Sequence, residues 1–470
     1  MKKTIFPLFF LLSVFTGANA QGNDSIAGTW SGKIEVQGTK LTVVFHIKKD
    51  GEKFFAKMDS PDQGAFGIDA GEVSINNDKV IIGSKKGMFM YDAKWHRDSN
   101  LLEGTWYQGK YELPLNLRKT YSEIKLVRPQ EPKPPFPYVT EEVEFISREA
   151  GIKLKGTLTR PDITGPSPAV ILVTGSGPQN RDEELMGHKP FLLIADYLTR
   201  NGFVVLRYDE RGVGESEGEF KTAIIPDFAK DAEAAFDYLL SLKYITKDKI
   251  GILGHSEGGM VAPMVAANRK DLAFIILLAG PGTPLKELLI DQTGLVLESS
   301  GASDTYIEFV KELNIKIYEI ILNTPDTKKA SKKIRKLMVS KRKGLSDEQI
   351  TNRGLSDEAI GAMVQTLTSD YFRYFLAYDP APVMKQVQCH VLALNGTKDV
   401  QVPAAKNLAA IENALKEGGN HNFTIKSFDG LNHLFQPAGT GSVAEYAKIE
   451  TTIDPSVLEY MKNWMMGVVK

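Results

Sequence analysis

The chain has 470 residues, 42% of them hydrophobic and 24% charged, with a formal net charge of −1. That balance belongs to soluble globular proteins, and no basic domain stands out that would favour nucleic acid or an anionic membrane as a partner. The length is large for a single core, so two or more domains are expected.

Lys2 and Lys3 precede an apolar run from Ile5 to Phe15, and Ala18-Asn19-Ala20 then forms a small-x-small site before Gln21. These are the three parts of a secretory signal peptide, predicted over 1–20 with cleavage near Ala20. The apolar run is too short to span a bilayer, and no Cys follows the site to carry a lipid, so no membrane anchor is expected after cleavage. The lone cysteine, Cys389, cannot form an internal disulfide. Export without disulfides points to a periplasmic or secreted bacterial protein.

Residues 21–125 read as a β-rich accessory domain, a small antiparallel barrel or sandwich. Leu41 to Ile47 is β-branched and apolar, and Asn76-Asn77-Asp78 has the composition of a hairpin turn. Gly104-Thr105-Trp106 echoes the opening Gly28-Thr29-Trp30, a Gly-x-Trp that loosely resembles lipocalin-like barrels. An accessory role is preferred over ligand binding, because fold alone does not give function. Pro129, Pro132, Pro134, Pro135 and Pro137 crowd the segment 126–140. That density predicts a stiff, extended linker.

Residues 141–470 alternate strand and helix, which predicts an α/β fold with a mostly parallel sheet. Ala169 to Val173, Phe203 to Leu206, Ile250 to Leu253, Phe274 to Leu278 and Val391 to Leu394 are continuous apolar runs, as strands buried on both faces require. Asn422 to Phe428 is the last strand, and helices are expected over Phe191–Leu198, Phe228–Leu242 and Pro455–Met466. The rhythm breaks at about 285–385, where the pattern is helical throughout and reads as a lid insertion. There Leu345-Ser346-Asp347-Glu348-Gln349 and Leu355-Ser356-Asp357-Glu358 are near-repeats, and Ser346 with Gln349 has capping-box spacing. The basic stretch Lys328 to Lys343 reads as a solvated helix face.

Gly254-His255-Ser256-Glu257-Gly258 has the form Gly-x-Ser-x-Gly, with a buried strand entering it and a small-residue helix, Gly259 to Ala267, leaving it. That is the strand-turn-helix elbow in which a nucleophilic serine is held. A serine hydroxyl is a weak nucleophile until a base takes its proton. Of seven histidines, His433 alone follows a strand of the parallel sheet at its C-terminal end without lying inside the elbow, as His255 does. Asp399, after the strand Val391 to Leu394, is preferred over Asp429 as the group that fixes the imidazole. The order Ser256, Asp399, His433 then follows. The backbone N–H of Glu257 is one expected oxyanion donor, and the other comes from the loop Thr174 to Asp182, at Ser176 or Gly177, with Ser176 preferred. Pro178 and a missing third glycine argue against a dinucleotide fingerprint at Gly175-Ser176-Gly177. Gly212-Val213-Gly214 has no downstream phosphate pattern. No metal motif is present either.

Together Thr174 to Asp182, Tyr208 to Ser216, Gly254 to Gly259, Asn395 to Pro403 and Leu431 to Phe435 resemble the α/β-hydrolase family, specifically bacterial serine esterases of the branch related to serine aminopeptidases. The tail Glu445 to Glu450 resembles that branch too, and the likeness covers Val143 to Lys470. It implies an acyl-serine intermediate, attack by water and no cofactor. The function expected is a carboxylesterase acting on a small ester. A peptidase with the same residues and an inert binding protein are the alternatives. Tyr371, Phe372, Tyr374 and Phe375 are candidate pocket aromatics, with core packing of the lid as the preferred reading.

Overall fold

A computed structural model of the chain describes residues 25–470 apart from 37–38, 61–64, 85–88, 110 and 121–127. The predicted signal peptide and the boundary at 125/126 lie outside the described residues. The chain divides into two compact units, Met1–Lys125 and Leu126–Lys470.

The first unit is an antiparallel sheet of β1 (Gly28–Val36), β2 (Thr39–Asp50), β3 (Lys53–Ser60), β4 (Ala65–Glu72), β5 (Ser74–Asn76), β6 (Lys79–Gly83), β7 (Met90–His96), β8 (Leu101–Gln108) and β9 (Tyr111–Thr120). Its order is β4-β3-β2-β1-β9-β8-β7-β6-β5, so the first and last strands meet in the middle. Side chains alternate across a strand, and Val43, Phe45 and Ile47 of β2 therefore share one interior with Trp30, Tyr91, Leu115 and Leu117. The two echoing tryptophans, Trp30 and Trp106, both lie in that core, with Trp106 stacked on Phe89 at 4.5 Å. The Tyr91 hydroxyl is satisfied there by donation toward the Leu102 and Leu115 carbonyls at 3.0 and 2.9 Å. Asn77 takes φ 54° in the turn between β5 and β6, a left-handed conformation that asparagine tolerates.

The second unit holds an eight-stranded sheet of β10 (Tyr138–Ser147), β11 (Ile152–Pro161), β12 (Ser167–Val173), β13 (Val204–Tyr208), β14 (Ile245–His255), β15 (Phe274–Leu278), β16 (His390–Gly396) and β17 (Phe423–Phe428). The order is β10-β11-β13-β12-β14-β15-β16-β17. β10 and β11 pair antiparallel, as do β11 and β13, and the other pairs are parallel. Alternation along β12 sends Ala169, Ile171 and Val173 to one face and Val170 and Leu172 to the other.

The helices sort by face. On the first face lie α2 (Ile225–Ser241), α3 (Gly258–Asn268) and α11 (Ala404–Glu417), and on the second α1 (Pro190–Arg200) and α12 (Pro455–Val468). Between β15 and β16 run α4 (Leu285–Ser299), α5 (Asp304–Leu322), α6 (Thr327–Ser340), α7 (Asp347–Asn352), α8 (Asp357–Leu367), α9 (Asp370–Ala377) and α10 (Ala381–Met384). They enclose a small core of their own around Ile317, Ile334, Ile360 and Leu376. Along α6, Ala330, Ile334 and Met338 are buried at helical spacing, which leaves Lys328, Lys329, Lys332 and Lys336 to solvent. The reciprocal bonds of a capping box join Ser346 and Gln349 at 3.0 and 3.2 Å, and Ser356 caps α8 through the Ala359 amide at 3.2 Å.

The proline-rich stretch, expected as a stiff, extended linker, is also bonded to the second unit. The Arg128 guanidinium donates to the Met186, Ala447 and Ile449 carbonyls at 2.8, 3.0 and 3.1 Å. The Gln130 amide accepts from Thr452 N and donates to the Ile453 carbonyl at 2.6 and 2.8 Å. Proline density governs backbone stiffness, but these two polar side chains find partners hundreds of residues away and hold the segment on the second unit. Among the described residues no helix is long and apolar enough to cross a membrane.

Candidate active site

Ser256 sits between the end of β14 and the start of α3, at φ 50°. A non-glycine residue in that region is strained, and the close approach of strand and helix maintains the strain. A Cβ on Gly254 would lie 2.0 Å from the Gly258 carbonyl oxygen, one on Gly258 would lie 2.2 Å from the Val173 oxygen, and one on Gly259 would lie 2.6 Å from the Gly280 Cα. Only glycine fits at these three positions. The Ser256 amide donates to the Leu278 carbonyl at 2.8 Å, which fixes the elbow to the next strand.

Asp399 follows β16 and His433 follows β17, so both stand at C-terminal strand ends like Ser256. Asp399 Oδ2 is 2.7 Å from His433 Nδ1, and both residues are 4% exposed. Asp399 Oδ1 accepts the backbone N–H groups of Gln401 and Val402, each at 2.8 Å. Asp429 is exposed and accepts instead from the Thr397 hydroxyl at 3.0 Å. The His433 loop is shaped by buried Asn432, whose Oδ1 accepts the Leu434 and Gln436 amides, each at 3.0 Å. Among the described residues neither the Ser256 hydroxyl nor His433 Nε2 makes a hydrogen bond.

The loop Thr174 to Asp182 lies against the elbow, since a Cβ on Gly175 would be 3.3 Å from the Ser256 Cβ. The Gly175 amide is already occupied by Glu183 Oε1 at 2.6 Å. The next two amides of the loop, those of exposed Ser176 and of Gly177, have no hydrogen-bond partner among the described residues. Two residues after β13 anchor this loop. Asp209 receives the Arg181 amide and guanidinium at 2.8 and 2.7 Å, and Glu210 accepts from the Thr174 hydroxyl and the Gln179 amide at 2.5 and 3.0 Å. Gly214, at φ 55°, clears room for the Asp209 carboxylate, where a Cβ would fall at 2.5 Å. Gly214 thus serves a buried carboxylate, whereas Gly212, at φ 72°, allows close approach of the Gly218 to Phe220 backbone.

Sequence reasoning missed two features around Ser256. One is a buried pair between Glu183 and His255, 2.9 Å apart. The other is a bond from the Tyr371 hydroxyl of α9 to Glu257 Oε2. Of the four aromatics of α9, Phe372 packs into the core of the helical segment, whereas Tyr371, Tyr374 and Phe375 pack against the core of the main sheet. Among the described residues no group of three or more His, Cys, Asp or Glu side chains is arranged to hold a metal ion.

Burial pushes the Glu257 carboxyl up to about 7, against the opposing effect of the Tyr371 bond. Glu210 is raised to about 8, again by burial first, with the Glu257 and Glu183 charges adding to it. An unfolded glutamate titrates near 4.5. Between pH 4.5 and 7 the folded chain therefore holds a proton at Glu257 that the unfolded chain has lost, so stability falls as pH rises through that window. Glu257→Gln keeps an acceptor for Tyr371 and removes the titration. Its Tm is expected to match the parent near pH 4.5 and to exceed it by a few degrees at pH 8, measured by calorimetry across the range. A Tm difference that does not change with pH would refute the assignment.

Residues 150–426, more than half of the chain, match the profile of the X-Pro dipeptidyl-peptidase (S15) family. The chain belongs to that family. Esterase EstD of Thermotoga maritima is 30% identical over 315 residues, which cover 67% of this chain and 65% of that esterase. The chain thus spans just under two thirds of that relative. The 2,6-dihydropseudooxynicotine hydrolase of Paenarthrobacter nicotinovorans is 33% identical over 130 residues, 28% of this chain and 33% of that enzyme. Among solved structures, Est1E from Butyrivibrio proteoclasticus with bound ferulic acid is 17% identical, covers 70% of this chain and 99% of its own, and has a TM-score of 0.42. This S15 member has the α/β-hydrolase fold, joined to an N-terminal antiparallel domain.

Proposed function

We propose that this S15 member is a serine carboxylesterase. The observation that carries the reading is the Asp399–His433 pair at 2.7 Å on the sheet edge where Ser256 is held at φ 50°. Ser256 Oγ attacks the ester carbonyl while His433 Nε2 takes its proton. Asp399 keeps the other imidazole proton on Nδ1 and stabilises the imidazolium that forms. The Glu257 and Ser176 amides donate to the oxyanion. His433 returns its proton to the leaving alkoxide, giving the alcohol and an acyl-serine. Water, deprotonated by His433, then attacks the acyl-serine and releases the acid and free Ser256.

The helical segment α4–α10 acts as a lid, with Tyr371 and Phe375 on its inner side. The similarity to an esterase supports the choice of ester. The S15 match supports a second reading, an amide hydrolase acting on peptides through the same residues. p-Nitrophenyl acyl esters from C2 to C12 and aminoacyl- and dipeptidyl-p-nitroanilides, Xaa-Pro among them, separate the two. Ester turnover well above anilide turnover is expected, and the reverse would make the protein a peptidase. The lysine pair, apolar run and Ala18-Asn19-Ala20 support export to the periplasm or medium, and N-terminal sequencing of the exported protein should read from Gln21.

A further inference from the structure

Glu183 follows the Thr174 to Asp182 loop at φ 50° and is 5% exposed. Its Oε1 accepts two hydrogen bonds, from the Gly175 amide at 2.6 Å and from His255 Nδ1 at 2.9 Å. The other ring nitrogen, His255 Nε2, is 3.1 Å from the backbone carbonyl oxygen of His433. An ionised carboxylate and a carbonyl are acceptors only. Both contacts are hydrogen bonds only when both ring nitrogens carry hydrogen, so His255 is an imidazolium. Burial opposes that charge, but the Glu183 carboxylate beside it, the His433 carbonyl and the Asp399 charge outweigh the penalty and hold the ring above its ordinary range. The groups facing it are thus Glu183, Asp399 and the His433 ring, whose centroid is 4.9 Å away.

We infer that Glu183 and His255 are positioning residues, a buried carboxylate–imidazolium pair that holds the oxyanion loop at Gly175 and the base loop at His433 against the elbow that carries Ser256. The inference rests on the proposed roles of Ser256 and His433. The pair touches three separate pieces of the site. Glu183 fixes the amide next to Ser176, His255 is the residue before Ser256, and its second bond fixes the backbone of His433 itself. A shift of about 1 Å in any of these costs on the order of 100-fold in rate. Neither Glu183 nor His255 is placed to touch substrate, so loss of the pair lowers kcat and leaves KM nearly unchanged.

The full chain labelled with 15N-histidine tests the charge directly. Long-range 1H–15N correlations are expected to show His255 with both nitrogens protonated at pH 7, and these signals should vanish in His255→Asn. In Glu183→Gln that ring should lose its second proton near neutral pH. With p-nitrophenyl acetate, Glu183→Gln should lower kcat about 10- to 100-fold while KM stays within about twofold, and Glu183→Asp should recover part of the loss. A wild-type His255 that is singly protonated at pH 7 overturns the inference whether or not any variant folds. So does a Glu183→Gln protein that reacts with a fluorophosphonate at Ser256 as fast as wild type, and in that case the esterase reading survives. A wild type that turns over no ester and takes no fluorophosphonate removes both.

Discussion

Replacing Ser256 by alanine is expected to lower kcat for a p-nitrophenyl ester by on the order of 10⁴- to 10⁶-fold, leaving only what oxyanion donors and binding supply over water. The substitution removes one oxygen and keeps the Cβ, so the elbow itself is unchanged. Its geometry is set by Gly254, Gly258 and Gly259 and by the Ser256 amide bond to Leu278. The hydroxyl makes no hydrogen bond among the described residues, so stability should change by less than about 0.5 kcal/mol. Equal thermal melting with lost turnover and lost fluorophosphonate labelling is the expected combination. Turnover within tenfold of the parent would show that Ser256 is not the nucleophile.

Asp399→Asn should be almost as damaging, about 10⁴-fold in kcat, and the structure gives the reason. Oδ1 of Asp399 is pinned by two backbone donors, Gln401 N and Val402 N, each at 2.8 Å. An asparagine must therefore leave its carbonyl oxygen on that side and turn its NH₂ toward His433 Nδ1. The NH₂ is a donor, so Nδ1 has to be the unprotonated nitrogen and the proton moves to Nε2. His433 then faces Ser256 with a hydrogen where a lone pair is needed. KM should change little, because Asp399 touches no substrate. Kinetics on the purified variant decide the matter, and a loss under about tenfold would mean that the tautomer is fixed by some other group. Asp429→Asn serves as the contrast, since among the described residues its exposed carboxylate accepts only from the Thr397 hydroxyl, and near-wild-type kcat is expected.

Much of the site was legible because each part is announced locally. The glycines around Ser256 all lie within three residues of it, the segments before Asp399 and His433 are single strands, and loops after parallel strands share one edge of the sheet. The choice of Asp399 over Asp429 also followed from strand order, though Asp429 is far nearer to His433 along the chain. The helical segment was legible in the same way, as an interruption of the strand-helix rhythm with serine caps at Ser346 and Ser356.

What could not be read is what depends on distant pairings. Glu183 and His255 are 72 residues apart, His255 and His433 are 178 apart, and Glu257 and Tyr371 are 114 apart. A glutamate in a polar loop and a histidine inside the elbow carry no periodicity and match no fixed spacing. Arg128, in a stretch whose prolines argue for a stiff, extended linker, bonds carbonyls up to 321 residues away. The sequence by itself determined the strands, the elbow and the Ser256–Asp399–His433 order, because backbone sterics and side-chain period act over a few residues. Only the tertiary structure decided which buried polar groups meet. Inside a low-dielectric core each of them must find a partner, and which partner is nearest is a property of the packed fold.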